Sequence, residues 1–512
     1  PDLVAFLPGM EQLPRGPVDI WSTISLIVDI RDESSPDHLA SGHPDAVRAR
    51  MRLIRFAGHH LANHNALCSF VLSVRGSHMR VYRFDHAGCI VSPALDWAAE
   101  PDMLRQFLWS FVHPPTNTQF LGLDEYCTWA SSEDLRWAQR VSRDAWDIHD
   151  VDSNRWIKFP FMGWEVEFLT LRIRSMSDVT FGGATCVWEA LKRGDESGKR
   201  YIIKDTWQPF THQEEKRFYE CIRRPDWRVG RPTFGVAGYV HGLNYGLVTR
   251  MGEHSLHRTE SARLRRGIRD TMRGERCHVR IVTDTVGKNL NEFERSRELI
   301  EAIRDAIKGH LHAYETGVLH ADISNGNVLI ARDKPFKGFI HDFDISAWID
   351  SSADGGAELP PALRDLSQKQ LRLVMGTPRF MAIEIFESIR EPIVRNAGHD
   401  LQSFYWVTLC QVLECMDYYT GDLNKTIHDL FVTDNWVAMT KNKRAWLARD
   451  PHGLFSGNDP LAFLMRRLHE LVSKSIRSYS NPDPIRLTHQ SILAVFDEAL
   501  AMDGWPEDDR SL

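Results

Sequence analysis

The fold of this chain is decided by one stretch, Val318-Leu319-His320-Ala321-Asp322-Ile323-Ser324-Asn325-Gly326-Asn327-Val328-Leu329-Ile330. Asp322 and Asn327 lie five residues apart in it, which is the spacing of a loop that serves phosphoryl transfer. That chemistry needs a carboxylate to orient the attacking hydroxyl and a nearby ligand for Mg²⁺. The stretch therefore predicts a phosphotransferase site.

The sequence before the loop predicts a helix, and the sequence after it predicts a strand. Apolar residues recur every fourth position at Leu299, Ile303, Ile307 and Leu311, and Gly317 is placed to end the helix. The apolar run Val328–Ile330 has the composition of a strand that would anchor the loop.

A second acidic motif, His341-Asp342-Phe343-Asp344, follows this strand. The turn Arg332–Pro335 predicts a hairpin that brings the motif back beside the loop. A carboxylate at that strand end is where the second metal ligand must sit, so we predict that Asp342 takes this role.

Upstream, Arg200–Lys204 has the composition of a strand that ends in lysine. It follows a predicted hairpin, Gly194–Gly198, and precedes a predicted helix, Thr211–Arg223. A lysine in this position predicts a phosphate-binding role for Lys204.

The carboxylate partner of this lysine is expected on the helix that follows. Glu215 is our choice, with Glu214 and Glu220 as the alternatives.

A phosphate-covering loop is predicted at Thr180–Val187, although this stretch contains only two glycines, Gly182 and Gly183. If Val187 is the valine of a G-x-G-x-x-G-x-V pattern, Gly182 occupies its second glycine. Glycine permits close approach of backbone to phosphate. We therefore predict that Gly182, Gly183, Val187 and Lys204 contact the nucleotide.

Two downstream segments complete the pattern. Gly376–Glu384 has the sequence of the end of an activation segment. Asp400 opens a stretch, Asp400–Met416, that is apolar nearly all round and predicts a buried helix below the catalytic loop. Asp400 is accordingly interpreted as structural.

Together these motifs resemble the fungal-type protein kinase family. The similarity rests on three motifs, His320 with Asp322-Ile323-Ser324 and Asn327, Asp342-Phe343-Asp344, and Gly376-Thr377 with Phe380-Met381-Ala382 and Glu384. Lys204-Asp205-Thr206-Trp207 also resembles a K-D-S-W segment of that family.

The resemblance implies ATP-dependent phosphorylation of Ser or Thr in protein substrates. It implies that Asp322 is the catalytic base, Asn327 and Asp342 are magnesium ligands, and Lys204 binds the α- and β-phosphates of ATP.

Three positions depart from the usual kinase pattern. Ala321 replaces an arginine that normally receives the charge of a phosphorylated activation loop, so we expect activity without such phosphorylation. Ser324 replaces a lysine that contacts the γ-phosphate, and Asp344 replaces the glycine of D-F-G. Slow turnover and a restricted hinge are the expected consequences.

The overall pattern predicts an α+β chain with a bilobal kinase-like fold, having a β-rich N-lobe at 160–285 and a helical C-lobe at 286–512. A smaller α/β domain is predicted at 1–155. Its Leu26–Arg31 strand, helix and two further strands resemble a degenerate nuclease core, with Arg31 where an active nuclease needs lysine. We therefore interpret this domain as a degenerate scaffold or partner-binding module, with an unrelated α+β fold and an active nuclease as the alternatives.

The composition of the chain indicates its cellular location and the kinds of partner it binds. The net charge of −7 gives no case for nucleic acid binding, and eight cysteines without a CxxC pair favour an intracellular location, cytoplasmic or nuclear. We find no apolar run of the roughly 18 residues that cross a bilayer. Arg258–Arg280, with eight arginines in 23 residues, is interpreted as a solvated helix-loop face. A patch that binds phosphate, an acidic partner or nucleic acid is the alternative, although aromatic residues are not interleaved with the arginines.

Two other functions use related motifs. A small-molecule phosphotransferase of the aminoglycoside or choline kinase type shares H-x-D-x-x-x-x-N, but the long segment after Asp342 favours a protein substrate. A pseudokinase scaffold would fit Ala321 and the glycine-poor loop, whereas the four polar residues Lys204, Asp322, Asn327 and Asp342 favour an enzyme.

Overall fold

A computed structural model describes residues 2–5, 24–40, 42–113, 122–142, 154–161, 164–177, 179–210, 212–223, 232–247, 256–264, 274–350, 371–372, 374–388, 393–477 and 481–510. The chain divides into two compact units, the first of Pro1–His212 with Val240–Asp284 and the second of Gln213–Tyr239 with Thr285–Leu512. The first unit is rich in strands and the second is mostly helical. This division confirms the predicted α+β class.

One sheet of the first unit is built by the N-terminal part of the chain. Its strands are β1 (Leu3–Ala5), β2 (Leu26–Arg31), β3 (Ser69–Arg75), β4 (His78–Asp85), β5 (Gly88–Val91) and β6 (Leu95–Asp96). They follow the order β1-β2-β3-β4-β5, with β6 paired to β4. Helix α1 (Pro44–His64) connects β2 to β3, which are parallel because a crossover helix separates them. The predicted strand Leu26–Arg31 coincides with β2, and a helix and two further strands follow it in the predicted order.

Two more helices and a second sheet complete the first unit. The helices are α2 (Pro101–Val112) and α3 (Ser132–Val141). The strands are β7 (Cys127–Trp129), β8 (Arg155–Phe161), β9 (Trp164–Met176), β10 (Cys186–Lys192), β11 (Arg200–Pro209), β12 (Tyr239–Asn244) and β13 (Arg276–Thr283). Their order is β12-β13-β11-β10-β9-β8-β7, so β7 forms one edge of the sheet. The hairpin predicted at Gly194–Gly198 joins β10 to β11.

A buried charge cluster lies under this sheet. Arg280 of β13 is fully buried; its Nε lies 2.6 Å from Asp205 of β11, and its Nη2 contacts Asp124. Burial opposes the charged form of Asp124, but Arg280, His257 and His278 together outweigh it and lower the pKa of Asp124 to about 2. His278 adds a 2.6 Å contact to Asp205. Arg280 therefore belongs to the core, contrary to the predicted solvated face.

Other arginines of that stretch form ion pairs. Arg258 contacts Glu275 and Arg263 contacts Glu260. Arg265, Arg266, Arg269 and Arg273 lie outside the described residues.

The second unit is built around long helices. They are α4 (Glu215–Arg223), α6 (Ser296–Glu315), α7 (Ile383–Glu387), α8 (Ala397–Cys415), α9 (Leu423–Ile427), α10 (Trp436–Leu447), α11 (Asp459–Ser475) and α12 (His489–Leu500), whereas α5 (Glu260–Leu264) belongs to the first unit. Its short strands are β14 (Gly287–Asn289), β15 (Val318–Leu319), β16 (Val328–Ala331), β17 (Gly338–Ile340) and β18 (Ala347–Trp348).

Helix α6 supports the hairpin of β16 and β17. Leu299, Ile303 and Ile307 are fully buried, as their spacing predicts. At Gly338 an added Cβ would come within 2.0 Å of the Ala302 carbonyl, so only glycine lets β17 lie directly on the helix. The helix ends at Glu315, two residues before Gly317, whose φ of 90° reverses the chain into the loop.

Candidate active site

The carboxylate of Asp322 is held from two sides. The backbone N–H and the hydroxyl of Thr377 both donate to its Oδ1, at 2.7 and 2.8 Å. The amide nitrogen of Asn327 donates to its Oδ2 at 3.1 Å and to its backbone carbonyl at 2.8 Å. These bonds fix the rotamer of a carboxylate that is only partly buried.

The hairpin of β16 and β17 places Asn327 next to the acidic motif His341–Asp344. Val328 pairs with Ile340, and the N–H of His341 donates to the carbonyl of Asn327 at 3.1 Å. Asp342 is the next residue along the chain. With its amide nitrogen bound to Asp322, Asn327 presents its oxygen as a hard donor, and Mg²⁺ prefers oxygen ligands. The donor chemistry of Asn327 and Asp342 therefore fits magnesium.

The backbone of Asp342 is strained and is held by helix α4. Its φ is 68°, in the left-handed region that side chains rarely adopt. Its N–H donates to the hydroxyl of Tyr219 at 3.2 Å, and the next N–H, of Phe343, donates to the carboxylate of Glu215 at 3.0 Å. Such strain persists only where the surroundings impose it, so α4 holds the acidic motif in place.

Three aromatic rings connect α4 to the catalytic loop. Tyr219 packs edge-on against Phe343 with ring centroids 4.9 Å apart, and Phe343 lies 4.8 Å from the ring of His320. Phe343 and His320 are fully buried. The ring of His320 also lies 2.9 Å from the carbonyl of His341, so the loop and the acidic motif share one packed layer.

Asp400 anchors the catalytic loop from helix α8. Its Oδ2 accepts the N–H of Ala321 and lies 2.9 Å from both that nitrogen and Nε2 of His310. Although burial opposes its charge, these hydrogen bonds lower the pKa of Asp400 below its ordinary value. The helix starts at Ala397, three residues before the predicted position, because Asn396 caps it. Asp400 is structural, as expected.

Of the three carboxylates considered, Glu215 and Glu220 on α4 and Glu214 just before it, Glu215 is the one whose environment is that of a core residue. It is 1% exposed and bonded to the acidic motif, whereas Glu214 pairs with Lys216 and Arg217 beside it. Helix α4 begins at Glu215 itself, later than the predicted Thr211. The pairing of Glu215 with Lys204 stays a prediction.

Lys204 lies in the first unit, near the middle of β11. Val187 of β10 is directly opposite it, and Ile281 of β13 is opposite it on the other side. The register thus sets Val187 and Lys204 side by side in the sheet. Their contact with a nucleotide stays a prediction.

The glycine-poor loop, which is the predicted phosphate-covering stretch Thr180–Val187, is attached to the N-terminal sheet and α1. The N–H of Gly182 donates to the carbonyl of His86 at 2.9 Å, and Phe181 packs against the core around Phe84, with ring centroids 6.5 Å apart. The carbonyl of Gly183 accepts from the N–H of Trp207 at 2.7 Å. Sequence reasoning gave no sign of this attachment.

Two residues that hold the site were also missed from the sequence. Arg395 donates to the carbonyls of Ala321 and Met375, and Lys443 donates to those of Arg379 and Met381. Neither belongs to a motif, and a single basic residue in a helical region is normally a surface residue. Only the packed structure reveals their role.

The fold and the site define this chain as a member of the kinase class of phosphotransferases. The family model described as fungal protein kinase matches residues 20–412, so the chain belongs to the fungal protein kinase family.

Individual proteins show more limited similarity. Germinal center kinase 3 of Caenorhabditis elegans is 32% identical over 124 residues, which are 24% of this chain and 18% of that protein. The chain therefore matches about a fifth of that relative's length. The solved structure of vaccinia related kinase 3 is 11% identical with a TM-score of 0.40, covering 72% of this chain and 95% of the other. The solved structure of the Cydia pomonella granulovirus kinase PK-1 is 11% identical with a TM-score of 0.38, covering 65% of this chain and 95% of the other.

Two further sequence expectations concern the location of the protein. Among the helices of the described residues, none is long and apolar enough to span a bilayer. All eight cysteines are free thiols.

Proposed function

We propose that this chain is a protein kinase that transfers the γ-phosphate of ATP to serine and threonine hydroxyls of protein substrates. The observation that carries the proposal is the carboxylate of Asp322, fixed by Thr377 on one oxygen and by Asn327 on the other. A carboxylate held in this way can orient a hydroxyl and accept its proton as the phosphate is transferred.

The other polar residues take supporting roles in this proposal. Lys204 contributes a positive charge for the α- and β-phosphates, and Glu215 is its proposed partner. Asn327 and Asp342 supply oxygen ligands for Mg²⁺, which when bound neutralises charge on the phosphates. Gly182, Gly183 and Val187 line the nucleotide.

The end of the activation segment supports a protein substrate over a small molecule. The N–H of Ile383 donates to Gln402 at 2.7 Å, and Gln402 in turn donates to Glu384 at 2.9 Å. The segment is thus bonded to the buried helix α8, which gives a fixed surface beside Asp322 against which a peptide can dock.

The test uses the purified chain with radiolabelled Mg-ATP and three sets of phosphate acceptors. The first set is a generic protein together with peptides that contain serine or threonine, the second is peptides that contain tyrosine, and the third is aminoglycosides and choline. Asp322→Asn and Asp342→Asn are compared with Asp450→Asn, which alters an exposed aspartate of the same unit. We expect label on serine or threonine, lost at least 100-fold in the first two variants and kept in the third.

Other outcomes would overturn the proposal. Transfer to small molecules alone would make the chain a metabolite phosphotransferase. Nucleotide binding without transfer to any acceptor would make it a scaffold, and label on tyrosine alone would refute the serine and threonine specificity.

A further inference from the structure

Position 321 lacks an arginine side chain, yet its backbone is bonded on both sides. Ala321 has a φ of 64°, and its N–H donates to Asp400 of α8 at 2.9 Å. Its carbonyl accepts from Nη1 of Arg395 at 2.5 Å. The loop is therefore fixed here through main-chain atoms.

Arg395 also reaches the activation segment. It lies just before α8, is 6% exposed, and donates from Nη2 to the carbonyl of Met375. Its backbone N–H donates to the carbonyl of Leu371 at 3.0 Å. One guanidinium thus joins the catalytic loop to the segment, and a planar guanidinium can donate to two carbonyls at once.

The bond to Met375 lies close to the catalytic carboxylate. Gly376, the next residue, has a φ of 123°, and a Cβ there would lie 3.2 Å from the carbonyl of Ala321. Thr377 follows and makes both bonds to Oδ1 of Asp322. Displacement of Met375 would therefore move the residue that orients Asp322.

The charge of Arg395 faces acidic groups as well as carbonyls. Burial lowers the pKa of Arg395 below its ordinary value, while the carboxylates of Asp400 and Asp322 act in the opposite direction and favour its charged form. Arg395 is thus a buried side chain whose guanidinium bonds the loop of Ala321, although it comes from a different element of the chain.

We propose that Arg395 is a positioning residue that replaces the arginine missing at position 321 and holds the activation segment against the catalytic loop without a phosphate. This inference rests on the proposed kinase function. It explains how Ala321 can be compatible with activity, because permanent main-chain acceptors take the place of a phosphorylated side chain.

The first experiment compares Arg395→Ala and Arg395→Lys with Arg297→Ala, which removes an exposed arginine from α6. Misplacement by about 1 Å can cost about 100-fold in rate. We expect kcat of Arg395→Ala to fall about 10- to 100-fold with the KM for ATP changed less than about 3-fold. Arg395→Lys should be intermediate, since one ammonium cannot reproduce the planar fork.

Chemical rescue distinguishes the loss of the Arg395 guanidinium from a general destabilisation of the fold. Guanidinium ion at low millimolar concentration should raise kcat of Arg395→Ala several-fold and leave the wild type and Arg297→Ala unchanged. Treatment of the wild type with phosphatase should leave kcat unchanged. Unaltered kcat in Arg395→Ala, or abolition of wild-type activity by phosphatase, would overturn the inference.

A second measurement does not depend on catalysis. Hydrogen exchange followed by mass spectrometry should be faster in peptides that cover 374–388 and 318–330 of Arg395→Ala and Arg395→Lys, but not of Arg297→Ala. If exchange in these peptides is unchanged, Arg395 does not hold the segment. If exchange rises in the Arg395 variants but the wild type transfers no phosphate, the proposed kinase function is wrong, whereas the role of Arg395 in holding the activation segment is supported.

Discussion

Thr377 donates both its backbone N–H and its hydroxyl to the same oxygen, Oδ1, of Asp322. The activation segment is thereby bonded to the carboxylate that we propose as the catalytic base. The orientation of that carboxylate depends on a residue 55 positions downstream in the chain.

We predict that Thr377→Val lowers kcat about 10-fold and that Thr377→Ser stays within about 3-fold of the wild type. Valine keeps the shape of threonine but cannot donate from its side chain, so Asp322 loses one of its fixed bonds. Steady-state kinetics with a protein substrate measures both variants. An unchanged kcat in Thr377→Val, or a loss in Thr377→Ser as large as that in Thr377→Val, would contradict the prediction.

Lys443 gives the stability of the second unit a defined pH dependence. Its Nζ is fully buried below the segment, donating to the carbonyls of Arg379 at 2.8 Å and Met381 at 3.1 Å, and lies 4.7 Å from the ring of Trp406. Burial lowers its pKa to about 7 from 10.5.

Between pH 7 and 10 the unfolded chain therefore holds a proton that the folded chain has released, so stability from this group rises with pH. We predict that the wild type gains up to about 1.4 kcal/mol per pH unit relative to Lys443→Met across that range. Denaturant unfolding at pH 7, 8 and 9 measures the difference, with the exposed Lys474→Met as control. Parallel profiles for wild type and Lys443→Met would contradict the prediction.

Gly58 tests the attachment of the glycine-poor loop to α1. Glycine inside a helix usually costs about 1 kcal/mol relative to alanine. Here an added Cβ would lie 2.3 Å from the hydroxyl oxygen of Thr180. We predict that Gly58→Ala destabilises the chain by about 1 kcal/mol instead of stabilising it, because the loop must be displaced.

The double variant Gly58→Ala with Thr180→Ala is the matched control. It should recover most of the stability lost in Gly58→Ala, since the overlapping hydroxyl is gone. Thermal and denaturant unfolding compare the single and double variants. A stabilising Gly58→Ala would show that the loop is not packed against the helix.

The sequence was informative wherever a residue must act at a fixed spacing. Asp322, Asn327 and Asp342 are joined by short connections, so the loop and the hairpin of β16 and β17 bring their backbones close, as their spacing predicts. The spacing of Leu299, Ile303 and Ile307 reports burial directly, and the structure confirms it.

Contacts between distant parts of the chain could not be predicted in the same way. Arg395 bonds main-chain carbonyls, which every residue possesses, so its partners leave no mark in the sequence. The interpretation of Arg258–Arg280 as a solvated face was wrong for Arg280. A high density of charged residues in the sequence does not show which carboxylates from other parts of the chain lie beside them in the folded protein. Asp124 is 156 residues away in the chain.

The cluster of Arg280, Asp124 and Asp205 sets a limit on how this protein can be shortened. A fragment that began near residue 165 would retain the catalytic motifs but would lose Asp124 together with edge strand β7. Arg280 would then keep a single buried counterion, and removal of one partner from such a group typically costs about 3–5 kcal/mol, a large part of a domain's entire stability. We therefore expect such a fragment to be destabilised, because the sheet that carries Lys204 includes strands and a buried counterion from the N-terminal part of the chain.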